Sequence, residues 1–398
     1  MSAPATTDAS RLLRLARHSV AVILANQASS GAYIASPNFP VYRYSWLRDG
    51  AFIADAMSRA GDVGSAEAFF GWCARILLDR RERIESLIDR RRRDVRIDPA
   101  DFLHTRYTLD GRESGEEWTD FQLDGYGAWL WALDTHRRRH GRPIDAFLEG
   151  AALSGRYVAT FWDHPSYDWW EEHPDHRHTS TLAALHAGLA SASDWPELAI
   201  ELRSEFRRAA ETIHQIVLVD AGGLGRLPKW LGGDAADASL VACATPFRLV
   251  APDDPLMVAT AQAIEAALVH DGGVHRYADD TYYGGGEWLL LAGFLGWYYV
   301  EAGRHDDAWA ELDWIVRHAT ASDELPEQSP DHLLEPEQFD PWVQRWGQIA
   351  TPLLWSHAMY LTLVFALEAV HPAALAMSTD DVAGPGPADG VRSPETSR

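Results

Sequence analysis

The stretch YDWWEEHPDHRH, Tyr167–His178, sets two tryptophans against two adjacent glutamates and follows them with three histidines. Three uses suit such a group: a proton held on a carboxyl, a metal held by imidazoles, or the start of a helix. Burial among rings raises a glutamate above its usual pKa of about 4.3, so that it can deliver a proton near neutrality. Trp169, Trp170 and Trp118 can supply that burial for Glu171, and an ionised Glu172 next to it would add like-charge repulsion. As a helix start the pair is unnecessary, because Thr179 or Ser180 is the better cap. His173, His176 and His178 lack a cysteine or second carboxylate at zinc-site spacing, so no metal is expected.

Five further segments carry the same mixture. They are VYRYSWLRD (Val41–Asp49), EEWTDFQLDG (Glu116–Gly125), LPKWLGGDAAD (Leu227–Asp237), HRYADDTYYGGGEW (His275–Trp288), and a sixth stretch with LPEQ (Leu325–Gln328) that ends in WGQIATPLLWSH. Tryptophan is abundant, at 17 residues, and core packing does not explain its pairing with Arg, Asp and Glu. Aromatic faces beside carboxylates and guanidinium groups suit a sugar, whose C–H faces stack on rings and whose hydroxyls are held bidentately. Two carboxylates on opposite sides of such a pocket can cleave a glycosidic bond. One protonates the leaving oxygen, and the other attacks the anomeric carbon or activates a water.

The elements that would position these segments are helical. Apolar spacing of three and four recurs almost throughout and predicts about twelve helices. They cover Arg11–Gln27, Gly50–Gly61, Ala66–Arg80, Gly125–Arg139, Ile144–Trp162, Thr179–Ser191, Pro196–Val217, Ala238–Leu249, Pro255–Val269, Trp288–Ala302, His305–His318 and Thr351–Val370. Paired in order, they suggest an all-α (α/α)6 barrel, with the even-numbered helices inside and their leading loops at one mouth. Function concentrates in loops held by a rigid scaffold. Arg90–Leu109 is expected to hold a short hairpin or a loop, with Arg90–Arg93 solvated. No linker interrupts the middle, so one domain is expected over 11–375, with a flexible start at 1–10 and a disordered tail at 376–398.

Composition narrows the partners. A formal net charge of -23 disfavours nucleic acid, which needs a basic surface. Cys73 and Cys243 lie in apolar stretches and read as buried thiols. No secretory leader and no apolar run long enough to span a bilayer is evident, so no membrane contact and a cytoplasmic location are expected. Nothing in the sequence fixes an oligomeric state.

The motifs resemble those of glycoside hydrolase family 15, the glucoamylases with their glucodextranase, isomaltose-hydrolase and trehalase relatives. The resemblance runs from about Tyr42 to Ala358 through YRYSWLRD, WTDFQLDG, WEE, RYADDTYY and LPEQ, in the family's order. It implies an (α/α)6 fold, no cofactor, and exo-hydrolysis of short α-glucosides with inversion, releasing β-glucose from the non-reducing end. It implies Glu171 as general acid and Glu327 as general base, with Glu337 the alternative base because it too precedes a glutamine. Arg48 and Asp49 resemble the clamp on the terminal glucose, with Tyr42 and Trp46 nearby. Trp118 resembles the tryptophan that packs on the substrate, and Trp170, Glu172 and Arg276 resemble groups around the bond. An inverting pair stands about 6.5–9.5 Å apart. Where many glucoamylases have Gly and Ser after Trp-Glu-Glu, this chain has HPDHRH, which would narrow the leaving-group side. The sequence also shows no β-sandwich or starch-binding module, which favours a small oligosaccharide. Isomaltose-type α-1,6 linkage is expected first, then maltose-type α-1,4 or trehalose. A carbohydrate-binding barrel without turnover is the reading from another class.

Overall fold

The computed structural model describes residues 9–372. The disordered tail expected at 376–398 lies outside the described residues, as does most of the flexible start expected at 1–10. Ala9 and Ser10 are already helical.

The α-helices in chain order are α1 (Ala9–Ala25), α2 (Leu47–Arg59), α3 (Val63–Asp79), α4 (Arg81–Arg92), α5 (Asp124–His140), α6 (Leu148–Phe161), α7 (Thr179–Ser193), α8 (Ile200–Leu224), α9 (Pro255–Leu268), α10 (Leu289–Glu301), α11 (His305–Arg317), α12 (Phe339–Trp346) and α13 (Leu354–Val370). An inner ring closes on itself. Helix α2 packs on α5, α5 on α7, α7 on the 3-10 segment Ala238–Cys243, that segment on α10, α10 on α13, and α13 back on α2. The outer layer packs behind it, with α3 on α2, α6 on α5, α8 on α7, α9 on the 3-10 segment, α11 on α10 and α1 on α13. This is the expected (α/α)6 barrel.

The two rings differ in residue pattern for a physical reason. Helix α10 (LLLAGFLGWYYVE) is buried from Leu289 to Val300 and α13 is nearly so, as suits helices with protein on every side. Outer helices such as α1 and α11 keep one apolar stripe. Helices α5 and α7 approach closely at a glycine pair: a Cβ on Gly127 would sit 2.5 Å from the Ala184 carbonyl oxygen, and one on Gly188 2.4 Å from the Gly127 oxygen.

Three expectations are corrected. Ala238–Leu249 is not an α-helix: the 3-10 turn ends at Cys243, and Pro246 has no N–H and disfavours helical backbone at Thr245. The arginine run Arg90–Arg93 is largely exposed, as expected, but it is not a loop: it is the end of α4 and its C-cap, where cations complement the helix dipole. Arg90 pairs with Asp101 at 2.6 Å and Arg91 with Asp163 at 2.9 Å. No hairpin forms within Arg90–Leu109. Strand β2 (Arg106–Tyr107) pairs antiparallel with β1 (Ser45–Trp46) instead, Trp46 opposite Arg106. The remaining strands make two small antiparallel ribbons, β3 (Val269–His270) with β4 (Gly273–Val274) and β5 (Glu287–Trp288) with β6 (Gln328–Ser329).

Candidate active site

Five of the six leading segments meet at a cavity of about 570 Å³ at the N-terminal ends of the inner helices. Tyr42, Trp46, Arg48 and Asp49 come from the first segment, and Trp118 and Thr119 from the second. Trp169, Trp170, Glu171 and Glu172 come from the third, Arg276, Tyr282 and Trp288 from the fifth, and Glu327 from the sixth. Every sequence-predicted site residue lines it. Glu337 does not: it lies exposed on a short 3-10 turn, whereas Glu327 is 2% exposed.

Each carboxyl is fixed differently. Glu327 precedes β6, and its backbone is pinned on both sides. Its N–H donates to the Ala350 carbonyl (2.9 Å), and its own carbonyl accepts from Leu289 N–H (3.3 Å). The Tyr42 and Tyr282 hydroxyls, 2.9 Å apart, together with Arg276, oppose a strong effect of burial, which still pushes Glu327 up to about 8. Glu171 sits deep but keeps part of its surface open to the cavity. Trp46 Nε1 donates to its Oε1 at 2.6 Å, and Thr119 Oγ1 to its Oε2 at 3.4 Å. Burial raises Glu171 as well, opposed first by the charge of Arg48.

Glu172, expected to repel Glu171, does not figure among the main influences on it. Glu171 has a left-handed backbone (φ 66°), and the two side chains diverge. Glu172 turns to the Tyr277 hydroxyl, which donates to it, and to Arg276 at 3.7 Å. A positive φ on a non-glycine residue is strained and must be held by its surroundings. Here Asp168 holds it, its Oδ1 accepting the backbone N–H groups of Trp170 (2.9 Å) and Glu172 (2.8 Å).

Asp168 belongs to a buried network supplied by the fourth segment, which does not reach the cavity. Lys229, the only lysine in the chain, lies 3.7 Å from Asp168 Oδ2 and 3.1 Å from Asp237 Oδ2, and its Nζ sits 3.5 Å from the centre of the Tyr277 ring. Asp237 also accepts from Trp170 Nε1 at 2.9 Å. Burial pushes Asp168 up to about 7, with Lys229 opposing.

On the opposite wall Arg48 donates from Nη1 to Gln122 (2.8 Å) and Asp124 (3.1 Å). Its Nε faces Asp49 at 3.3 Å. Asp49 is raised to about 7, by burial against the pull of Arg48. Several buried polar atoms of the lining make no hydrogen bond to another protein atom. They are Arg48 Nε, Asp49 Oδ1, Glu327 Oε2 and the indole nitrogens of Trp118, Trp169, Trp288 and Trp355. Buried polar groups are normally paired. Donors and acceptors with hydrogen-bonding capacity to spare, converging between rings, form a lining suited to a polyhydroxylated molecule.

The histidine-rich remainder of the third segment does not line the cavity. His176 stacks on Trp230 at 4.2 Å, His173 lies against the same ring, and His178 Nε2 bonds the His173 carbonyl. Burial lowers His178 to about 4. The mouth is instead closed by α12, which the sequence reading missed. It brings Trp342, Arg345 and Trp346 to the rim, where Trp346 stacks with Trp118 at 6.3 Å. Two tryptophans four apart behind Pro336 were the available signal. Arg106, fully buried on β2, was also missed. It lies 3.7 Å from the centre of the Trp118 ring and 4.1 Å from that of Tyr44, and so stiffens the wall beside Glu171.

The glycosyl hydrolases family 15 model matches residues 12–365. The chain is 45% identical over 378 residues to the isomaltose glucohydrolase of Kribbella flavida, covering 92% of this chain and 96% of that protein. It is 29% identical over 247 residues to the trehalase of Mycolicibacterium smegmatis, covering 59% of this chain and 36% of that one. Among solved structures, a glycosidase variant in complex with glucose superposes with a TM-score of 0.88 at 45% identity, over 90% of this chain and 97% of its own. The glucoamylase from Saccharomycopsis fibuligera shares the fold, with a TM-score of 0.68 at 15% identity over 93% of this chain and 99% of its own. This chain is a glycoside hydrolase and belongs to glycosyl hydrolases family 15.

Proposed function

We propose that the protein is an inverting exo-α-glucosidase that releases β-glucose from the non-reducing end of short α-glucosides, with isomaltose-type α-1,6 linkage preferred. The observation that carries this is the ring-lined cavity in which both carboxyls converge with the Arg48–Asp49 ion pair and the Trp355 indole nitrogen, which makes no hydrogen bond to another protein atom. The 45% identity to an isomaltose glucohydrolase supports the linkage.

In this reading Arg48 and Asp49 hold the terminal glucose. Glu171, protonated through its burial, gives its proton to the glycosidic oxygen as the C1–O bond breaks. Glu327 takes a proton from the water that attacks C1 on the opposite face. Burial raises Glu327 in the free protein, so its ionised form must be supported from the cavity. In this reading the attacking water donates to Oε2 and so favours the ionised form, alongside Tyr42, Arg276 and Tyr282. Trp118, Trp342 and Trp346 form the platform for the leaving sugar.

Incubation with isomaltose, maltose and trehalose, followed by glucose release, tests the activity. Isomaltose is expected to give the highest kcat/KM. A higher value on maltose or trehalose overturns the linkage, and no turnover on any of them returns the protein to a sugar-binding role. Proton NMR of the first product distinguishes the stereochemistry, since α-glucose appearing first contradicts inversion.

A further inference from the structure

Behind the strand that follows Glu327 lies a second group of functional side chains, outside the cavity. Glu287 on β5 is fully buried, and its Oε1 faces His332 Nδ1 at 3.0 Å. Its Oε2 is buried and makes no hydrogen bond to another protein atom. His270, half-exposed on β3, packs its ring 3.8 Å from that of His332. The three residues come from three separate segments, and one donor atom from each lies within 4.8 Å of the others. The room they share is left by Gly273, opposite His270 on β4, where a Cβ would fall 2.1 Å from the Glu287 carboxyl carbon.

We infer that His270, Glu287 and His332 form a binding site for a divalent transition metal of the zinc class. Two imidazoles and one carboxylate are a known donor set for zinc, with a fourth position left to water. Metal–ligand bonds of 2.0–2.1 Å place tetrahedral donors about 3.3 Å apart. Glu287 and His332 stand 3.0 Å apart, close to that spacing, and the half-exposed His270 has the freedom to close the remaining distance. The buried Oε2, which makes no hydrogen bond to another protein atom, is the group that a metal would satisfy. Histidines His173, His176 and His178 offer no such convergence, since they are turned onto Trp230. Bound metal would clasp the β3–β4 ribbon to the β5–β6 ribbon, and so brace the strand that follows Glu327.

The test uses tag-free, chelator-treated full-length protein titrated with Zn²⁺ by calorimetry, and with Co²⁺ by visible absorption. One Zn²⁺ per chain is expected, with the intense visible bands of tetrahedral Co²⁺ and a rise in Tm on metal addition. His270→Ala changes an exposed side chain, so its folding is secure; it and His332→Ala should each weaken binding at least about tenfold. The absence of saturable binding below millimolar Zn²⁺ overturns the proposal. So does binding that both variants leave unchanged. In either case the cluster is a proton-sharing Glu287–His332 pair.

Discussion

At the residue scale, two glutamates with one chemistry are placed in different settings. Glu171→Gln and Glu327→Gln should each lower kcat on isomaltose by about 10²–10⁴-fold, the usual contribution of a positioned acid or base. Glu337→Gln, at an exposed turn, should leave kcat within about twofold. If Glu337→Gln proved the damaging change, the assignment of the base would be wrong. The Tyr42 hydroxyl favours the ionised form of Glu327. Its loss in Tyr42→Phe raises the pKa of the base, so the acidic limb of the kcat/KM profile should move to higher pH. A shift to lower pH would contradict the role. The identities of these groups were legible in the sequence because the chemistry restricts them to few residue types. Their orientation was not. The divergence of Glu171 and Glu172 depends on a positive φ enforced by Asp168, and a buried lysine 61 positions further along the sequence braces Asp168.

At the element scale, periodicity located helices and misjudged their ends. Most predicted spans agree with the observed ones to within a few residues, because an apolar stripe is a local property. The exceptions have particular causes. Helix α4 is too polar to show a stripe, α12 is short, and Pro246 interrupts an apolar run that otherwise reads as helix. Pairing between distant segments, such as Trp46 with Arg106, leaves no local signal. One junction between inner helices is electrostatic. Asp55 on α2 is 1% exposed and accepts from Arg59 on the same helix (2.8 Å) and from Arg139 on α5 (2.8 Å). Burial opposes ionisation there, but the two guanidinium groups win, and Asp55 falls to about 2. Its folded pKa is depressed, so its contribution is present above about pH 4 and lost as pH falls through about 2. The shift corresponds to roughly 2 kcal/mol. Asp55→Asn should therefore destabilise the protein by about 2–4 kcal/mol at neutral pH. The variant should also lose less stability than wild type between about pH 5 and pH 2. Chemical denaturation at several pH values measures both, and an unchanged pH dependence would remove Asp55 from the account.

At the scale of the whole molecule, a net charge of -23 surrounds a site for an uncharged sugar. Long-range steering acts only on charged ligands. Changing NaCl from about 10 to about 300 mM should alter kcat/KM on isomaltose by less than about twofold. A steep salt dependence would point to a charged substrate. Among the described residues no helix is long and apolar enough to cross a membrane. Of the lysine and arginine side chains all are arginine except Lys229, which is 4% exposed behind the third loop. Amine acylation therefore has a single side-chain target, and it is shielded. An acylating reagent should reach Lys229 only when the segment around Asp168 and Glu171 opens, so the labelling rate becomes a clock for that opening. Mass spectrometry would read it, and a bound sugar should slow it. The chain thus carries one intrinsic reporter on the mobility of its own acid loop, with no engineered probe required.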